Sequence, residues 1–97
     1  MSNPKYKIKW TIHGRQRALE RNIDEKLVKL VLDNSIETVY DERRQNYKSY
    51  ALVPYPSTGQ DTYLMVVHSS KFNTEVLIIS VMWQTRGGLT RNGFNNI

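Results

Sequence analysis

Cysteine is missing from all 97 residues, and that absence excludes disulfides, thiolate metal sites and cysteine nucleophiles. It fits a reducing compartment, read here as the cytoplasm, and leaves stability to packing. No apolar run approaches the roughly 20 residues of a membrane span, and MSNPKYKIKW lacks the continuous apolar segment of a signal peptide. The expectation is a soluble chain with no membrane partner. No glycine-rich loop follows a strand-like run, which removes a nucleotide cradle. The two histidines have no carboxylate at ligand spacing, so neither a metal nor any other cofactor is expected. Repeats and linkers are also absent, and the length suits one domain with one core.

What is present is positive charge, unevenly placed within a formal total of +5. Residues 1 to 23 hold Lys5, Lys7, Lys9, Arg15, Arg17 and Arg21 against Glu20 alone. Residues 24 to 83 hold six basic and eight acidic side chains, and Arg86 and Arg91 add two cations to a tail without an acid. Clustered cations beside Tyr6 and Trp10 suit a surface that meets nucleic acid or an acidic protein, although a solvated basic face without a partner has the same composition.

Alternation of lysine with apolar residues in YKIKW reads as a short strand at a sheet edge, where lysine discourages further pairing, or equally as an extended arm. Thr11 can cap a helix starting at Ile12, with Ile12, Leu19 and Ile23 as its packing stripe and His13, Arg17 and Arg21 along another. Asn22 closes that helix in a tight turn, and Asp24 caps a second, mostly buried helix, EKLVKLVLDN. After Asn34 the period changes. IETVYDE, NYKSYALVPY, DTYLMVVHS and TEVLIISVMW read as four strands with short polar separators, hence as antiparallel hairpins. The expected fold is α+β: two N-terminal helices on one face of a four-stranded or slightly larger antiparallel meander. Its core runs over about residues 10 to 83, with the last strand central or long and residues 84 to 97 a mobile basic tail or a strand extension.

The pattern His13-x3-Arg17-x3-Arg21-x-Ile23, followed by a capped helix and four strands, resembles domain-of-unknown-function family 4258. Members of that bacterial family open with a histidine, two arginines at four-residue spacing and an isoleucine just before a second helix. The resemblance covers roughly residues 10 to 83 and departs at Gly14, where alanine is usual, and at Asn22, where glycine is usual. Asn22 can adopt the left-handed conformation that glycine would supply, and Gly14 costs about 1 kcal/mol of helix propensity. The resemblance implies a distant relation to RelE-type toxins and the metal-independent ribonuclease fold of barnase, EndoU, colicin and RelE.

Chemistry gives the ladder a reason of its own. Cleaving RNA without a metal needs a base for the 2′-hydroxyl, an acid for the leaving oxygen and cations for the charge that grows on phosphate. Histidine titrates near neutral pH, and arginine offers forked donors to phosphate oxygens. The catalytic candidates are therefore His13, Arg17 and Arg21, with His68 as a second imidazole at a strand end. RNA-binding candidates are Lys48, Tyr47 and Tyr50 in the second long strand, Arg86 in the tail, and Lys7 and Lys9 near the N-terminus. The turn Ser69-Ser70-Lys71 is a lesser phosphate candidate. A structural use competes with each role, since the arginines can bridge to Glu20, Glu25 or Asp41 and His13 can bond backbone.

The expectation drawn from all this is a RelE-like ribonuclease toxin of a toxin–antitoxin or growth-inhibition system. It would cleave RNA by acid–base transesterification and be neutralised by an antitoxin or immunity protein with a net acidic segment. The alternative is a non-catalytic basic module of the same fold that docks a protein or nucleic acid.

Overall fold

The computed structural model describes residues 6–69 and 74–97. Lys5 and the Ser70-Lys71 part of the candidate phosphate turn lie outside the described residues. The chain forms β1 (Lys7–Trp10), α1 (Ile12–Glu20), α2 (Glu25–Asp33), β2 (Glu37–Asp41), β3 (Asn46–Pro54), β4 (Asp61–His68), β5 (Glu75–Gln84) and α3 (Arg86–Arg91). The strands make one five-stranded sheet in the order β1-β5-β4-β3-β2.

The expected period change after Asn34 is where β2 begins, and β2 to β5 pair antiparallel as their short connections require. The expectation of a purely antiparallel meander is corrected by β1. It is an edge strand, as its lysines suggest, but it runs parallel to β5, with Lys7 opposite Glu75 and Trp10 opposite Ile78. That direction delivers the chain to the point where α1 must start. Between Val67↔Ser80 and His68↔Ile78 the β4–β5 register slips, leaving Ile79 as a bulge. Thr11 stitches onto it, its main-chain N–H donating to Ile78 O at 3.0 Å and its hydroxyl lying 3.2 Å from the same oxygen. Its Oγ1 also accepts from Gly14 N at 2.8 Å, which is the expected helix cap.

The packing stripe of α1 differs in part from expectation. Ile23 is buried as expected, but Ile12 and Leu19 are 90% and 78% exposed, and Gly14 and Ala18 are buried in their place. Small residues win because the helix lies almost on β5: a Cβ added at Gly14 would sit 2.5 Å from Ile78 O. Asn22 ends the helix with φ 59°, the left-handed turn expected of it. Asp24 caps α2 by accepting from Leu27 N at 2.9 Å. Val28, Val31 and Leu32 bury one face of α2, while Leu30 stays 40% exposed. These helices cover a core of Ala51, Val53, Leu64, Val66, Val76 and Ile78.

Residues 84 to 97 are not a free tail. Thr85 accepts from Gly88 N at 3.1 Å and starts α3, and Leu89 and Phe94 drop onto the opposite face of the sheet. There they meet Tyr50 and Met65 in a second core, so the helices do not all lie on one face. Glu37 fixes the chain end by accepting from Asn95 N and Asn96 N at 2.9 and 2.7 Å. The long β5 lies beside the central strand, which is β4. Among the described residues no helix is long and apolar enough to cross a membrane, and no three His, Cys, Asp or Glu side chains are grouped to hold a metal ion.

Candidate nucleic-acid interface

Because β1 stops opposite Ile78, the rest of β5 needs another neighbour on that edge, and α1 takes the place. One edge of the molecule therefore carries Lys7 and Lys9 on the strand, Arg15 and Arg17 on the helix and Arg21 at its C-terminal cap, five cations with Glu20 and Glu75 among them. Lys9 lies 3.7 Å from Glu75 with both side chains exposed, a contact too loose and too wet to fix either one.

The three rungs of the ladder have three different fates. His13 is exposed on the first turn of α1. Arg17 donates to Glu20 Oε1 at 2.9 Å, and that guanidinium holds the Glu20 carboxyl below its ordinary range. Arg21 reaches inward and donates to Val81 O at 2.7 Å, a carbonyl on the part of β5 that has run past β1. In return the Trp83 indole donates to Arg21 O at 2.9 Å. Arg21 thus braces the helix to the sheet.

His68 is fully buried. Its Nδ1 meets the Ser69 carbonyl, so that nitrogen carries the proton, and Nε2 accepts from Ser49 Oγ at 2.7 Å in the neutral ring. Ser49 in turn lies 2.8 Å from Thr38 Oγ1, giving a polar chain across three strands. Tyr47 stacks against His68 with centroids 6.0 Å apart, and the exposed Tyr40 leans on Tyr47 at 4.9 Å. This small aromatic cluster shares the helix-covered face of the sheet but not the cationic edge, since β2 and β1 are opposite ends of it.

Tyr50 is 1% exposed. Its hydroxyl donates to Asn96 O, and burial, with the Glu37 charge nearby, pushes its phenol up. A ring so placed has no face to offer a base. Lys48 sits between Asp41, at 3.6 Å, and the Asn92 side chain, at 3.3 Å, in a polar cleft of about 580 Å³ shared with Glu42 and Arg91. Arg86 is exposed at the start of α3.

The sequence candidates therefore divide. Lys7 and Lys9 join the ladder on one edge, Tyr47 joins His68, and Lys48 joins Asp41. A second cleft, of about 640 Å³, opens between α1, the start of α2 and the β3–β4 turn. Trp10, Arg15, Leu19, Leu27, Leu30 and Tyr55 are among its walls. Neither cleft is lined by His13, Arg17, Arg21 or His68. The second cleft escaped the sequence reading; its only local signal is Pro54-Tyr55-Pro56, an aromatic held between two residues of fixed φ. No family model, curated protein or solved structure matches the chain.

Proposed function

We propose that this chain engages RNA through the cationic edge built by β1 and α1. The observation that carries the reading is the gathering of Lys7, Lys9, Arg15 and Arg17 on the β1–α1 side of the sheet, where Glu20 beside Arg17 and Glu75 beside Lys9 offset only part of the charge. Phosphate contacts from such an edge supply affinity without sequence preference. In the catalytic form of the proposal the domain is a RelE-like, metal-independent ribonuclease and growth-inhibiting toxin. His13 moves the proton, Arg17 leaves Glu20 to meet the phosphate, and an acidic antitoxin or immunity segment covers the edge.

The non-catalytic reading has its own support. His68 is enclosed and hydrogen-bonded, and Arg21 is committed to β5, so His13 stands as the one exposed imidazole among the described residues. Transesterification with a single acid–base residue needs a second group from the RNA, the ribosome or water. RNA binding is the conclusion, and cleavage is the activity to test on it.

The experiment incubates the purified chain, with chelator, with total RNA and with translating ribosomes, and measures RNA affinity over a salt series. Counterion release makes affinity fall steeply between low and physiological salt. Flat affinity removes the binding proposal. Binding without any new RNA ends in either substrate selects the non-catalytic module.

A further inference from the structure

We infer that the cleft between α1, α2 and the β3–β4 turn takes an unpaired nucleobase of the RNA strand whose phosphates lie on the β1–α1 edge, an assignment that rests on the RNA-binding proposal. Its volume of about 640 Å³ falls in the range of ligand sites. Two aromatic walls face it, Trp10 at the end of β1 and Tyr55 in the β3–β4 turn. Both are only half-buried.

Each wall is held in place. Tyr55 rests on Trp83 at 4.8 Å, and Trp83 is pinned by its indole bond to Arg21 O. The turn around Tyr55 is closed by Tyr55 N to Gln60 O at 2.9 Å and Gly59 N to Tyr55 O at 2.7 Å. Trp10 already carries a planar cation, the Arg15 guanidinium, 5.4 Å from its ring centroid. A flat, polarisable group thus fits over the indole, and the exposed Arg15 can leave that place for a phosphate when a base arrives. Asn22 and Glu25 stand at the rim with the donors and acceptors that a base edge needs. Charge within the wall is balanced, Arg15 and Lys26 against Asp24 and Glu25, which suits a neutral base. Arg15 belongs both to this wall and to the cationic helix, so a strand whose phosphates lie along that helix passes the mouth. Leu19 and Leu30 supply the apolar remainder of the wall.

The test compares two short single strands of the same length and charge, one RNA and one lacking its bases, by fluorescence anisotropy with the full chain. The base-bearing strand is expected to bind about tenfold or more tightly, the usual worth of one stacked base. That preference should vanish in Trp10→Leu and Tyr55→Leu, survive in Trp10→Phe, and leave affinity for the abasic strand unchanged throughout. Thiouridine cross-links to the parent chain should map to Trp10 or Tyr55, which locates the base even where a variant unfolds. Equal affinity for the two strands overturns the assignment and leaves the leucine-rimmed cleft as a protein-docking surface, while salt-sensitive abasic binding keeps the edge proposal standing. A preference that persists in both leucine variants, or cross-links elsewhere, overturns it too. Failure of both strands to bind removes the edge and the cleft together.

Discussion

Gly14 is the residue on which the closeness of α1 to the sheet depends. Alanine is the better helix former by about 1 kcal/mol, yet here its methyl would meet a main-chain oxygen at 2.5 Å that is fixed in β5. Gly14→Ala is expected to lower stability by about 1 to 3 kcal/mol, the cost of overpacking; an unchanged or raised urea midpoint would contradict the close approach. The ladder makes a graded forecast. Arg21→Ala removes a charged donor from Val81 O and should cost about 1.5 to 3 kcal/mol. His13→Ala alters an exposed group and Arg17→Ala a half-buried one whose ion pair with Glu20 faces solvent, and both should leave the melting temperature nearly unmoved. Equal losses in all three would return the whole ladder to architecture. The four-residue spacing showed that these side chains share a stripe, but not which rung turns inward, because that depends on where β1 ends against β5.

At the scale of elements, the β2–β3 turn hangs on Asp41. Burial opposes ionisation of its carboxyl, but the main-chain N–H groups of Arg44 and Arg43 and the Lys48 ammonium outweigh it and hold the carboxyl below its ordinary range. A depressed carboxylate stabilises the fold above its unfolded value and loses that contribution as pH falls through the folded one, here from about pH 4 downward. Asp41→Asn should therefore be less stable than the parent at neutral pH and converge with it in acid, followed by thermal melts over a pH series. Parallel curves would show that the turn does not use this charge. The C-terminal segment yields a second test. Phe94 packs edge-on to Tyr50 at 4.7 Å in the second core, so Phe94→Ala should cost about 3 to 5 kcal/mol; a loss below 1 kcal/mol in the same melts would mean that the segment merely rests on the sheet. The sequence showed β2 to β5 plainly, β2 by its alternation and β3 to β5 as aromatic and apolar runs between polar turns. It concealed α3, because two glycines and an amide-rich flank read as loose chain, while Thr85 as cap and Leu89 and Phe94 as anchors work only against a sheet face already formed.

For the molecule as a whole, the sheet is asymmetric in how its parts come together. β2, β3, β4 and β5 are joined by short turns, so each pairs with its neighbour in sequence. β1 instead pairs with a strand that begins 68 residues further on, Lys7 opposite Glu75. Loop closure over such a separation is unrewarded until the intervening strands are in place. The expected order of assembly is that the hairpins form first and β1 with α1 closes on β5 last, which would make the side bearing the lysines and arginines the last to acquire its shape. Pulse-labelled hydrogen exchange during refolding should find the amides of β3 to β5 protected before those of Lys7–Trp10, and native-state exchange should open β1 at lower free energy than β4. Simultaneous protection would indicate a single cooperative step. A newly made chain would then carry its N-terminal cations unstructured until β5 has been synthesised, free to touch polyanions in a geometry unlike the finished one.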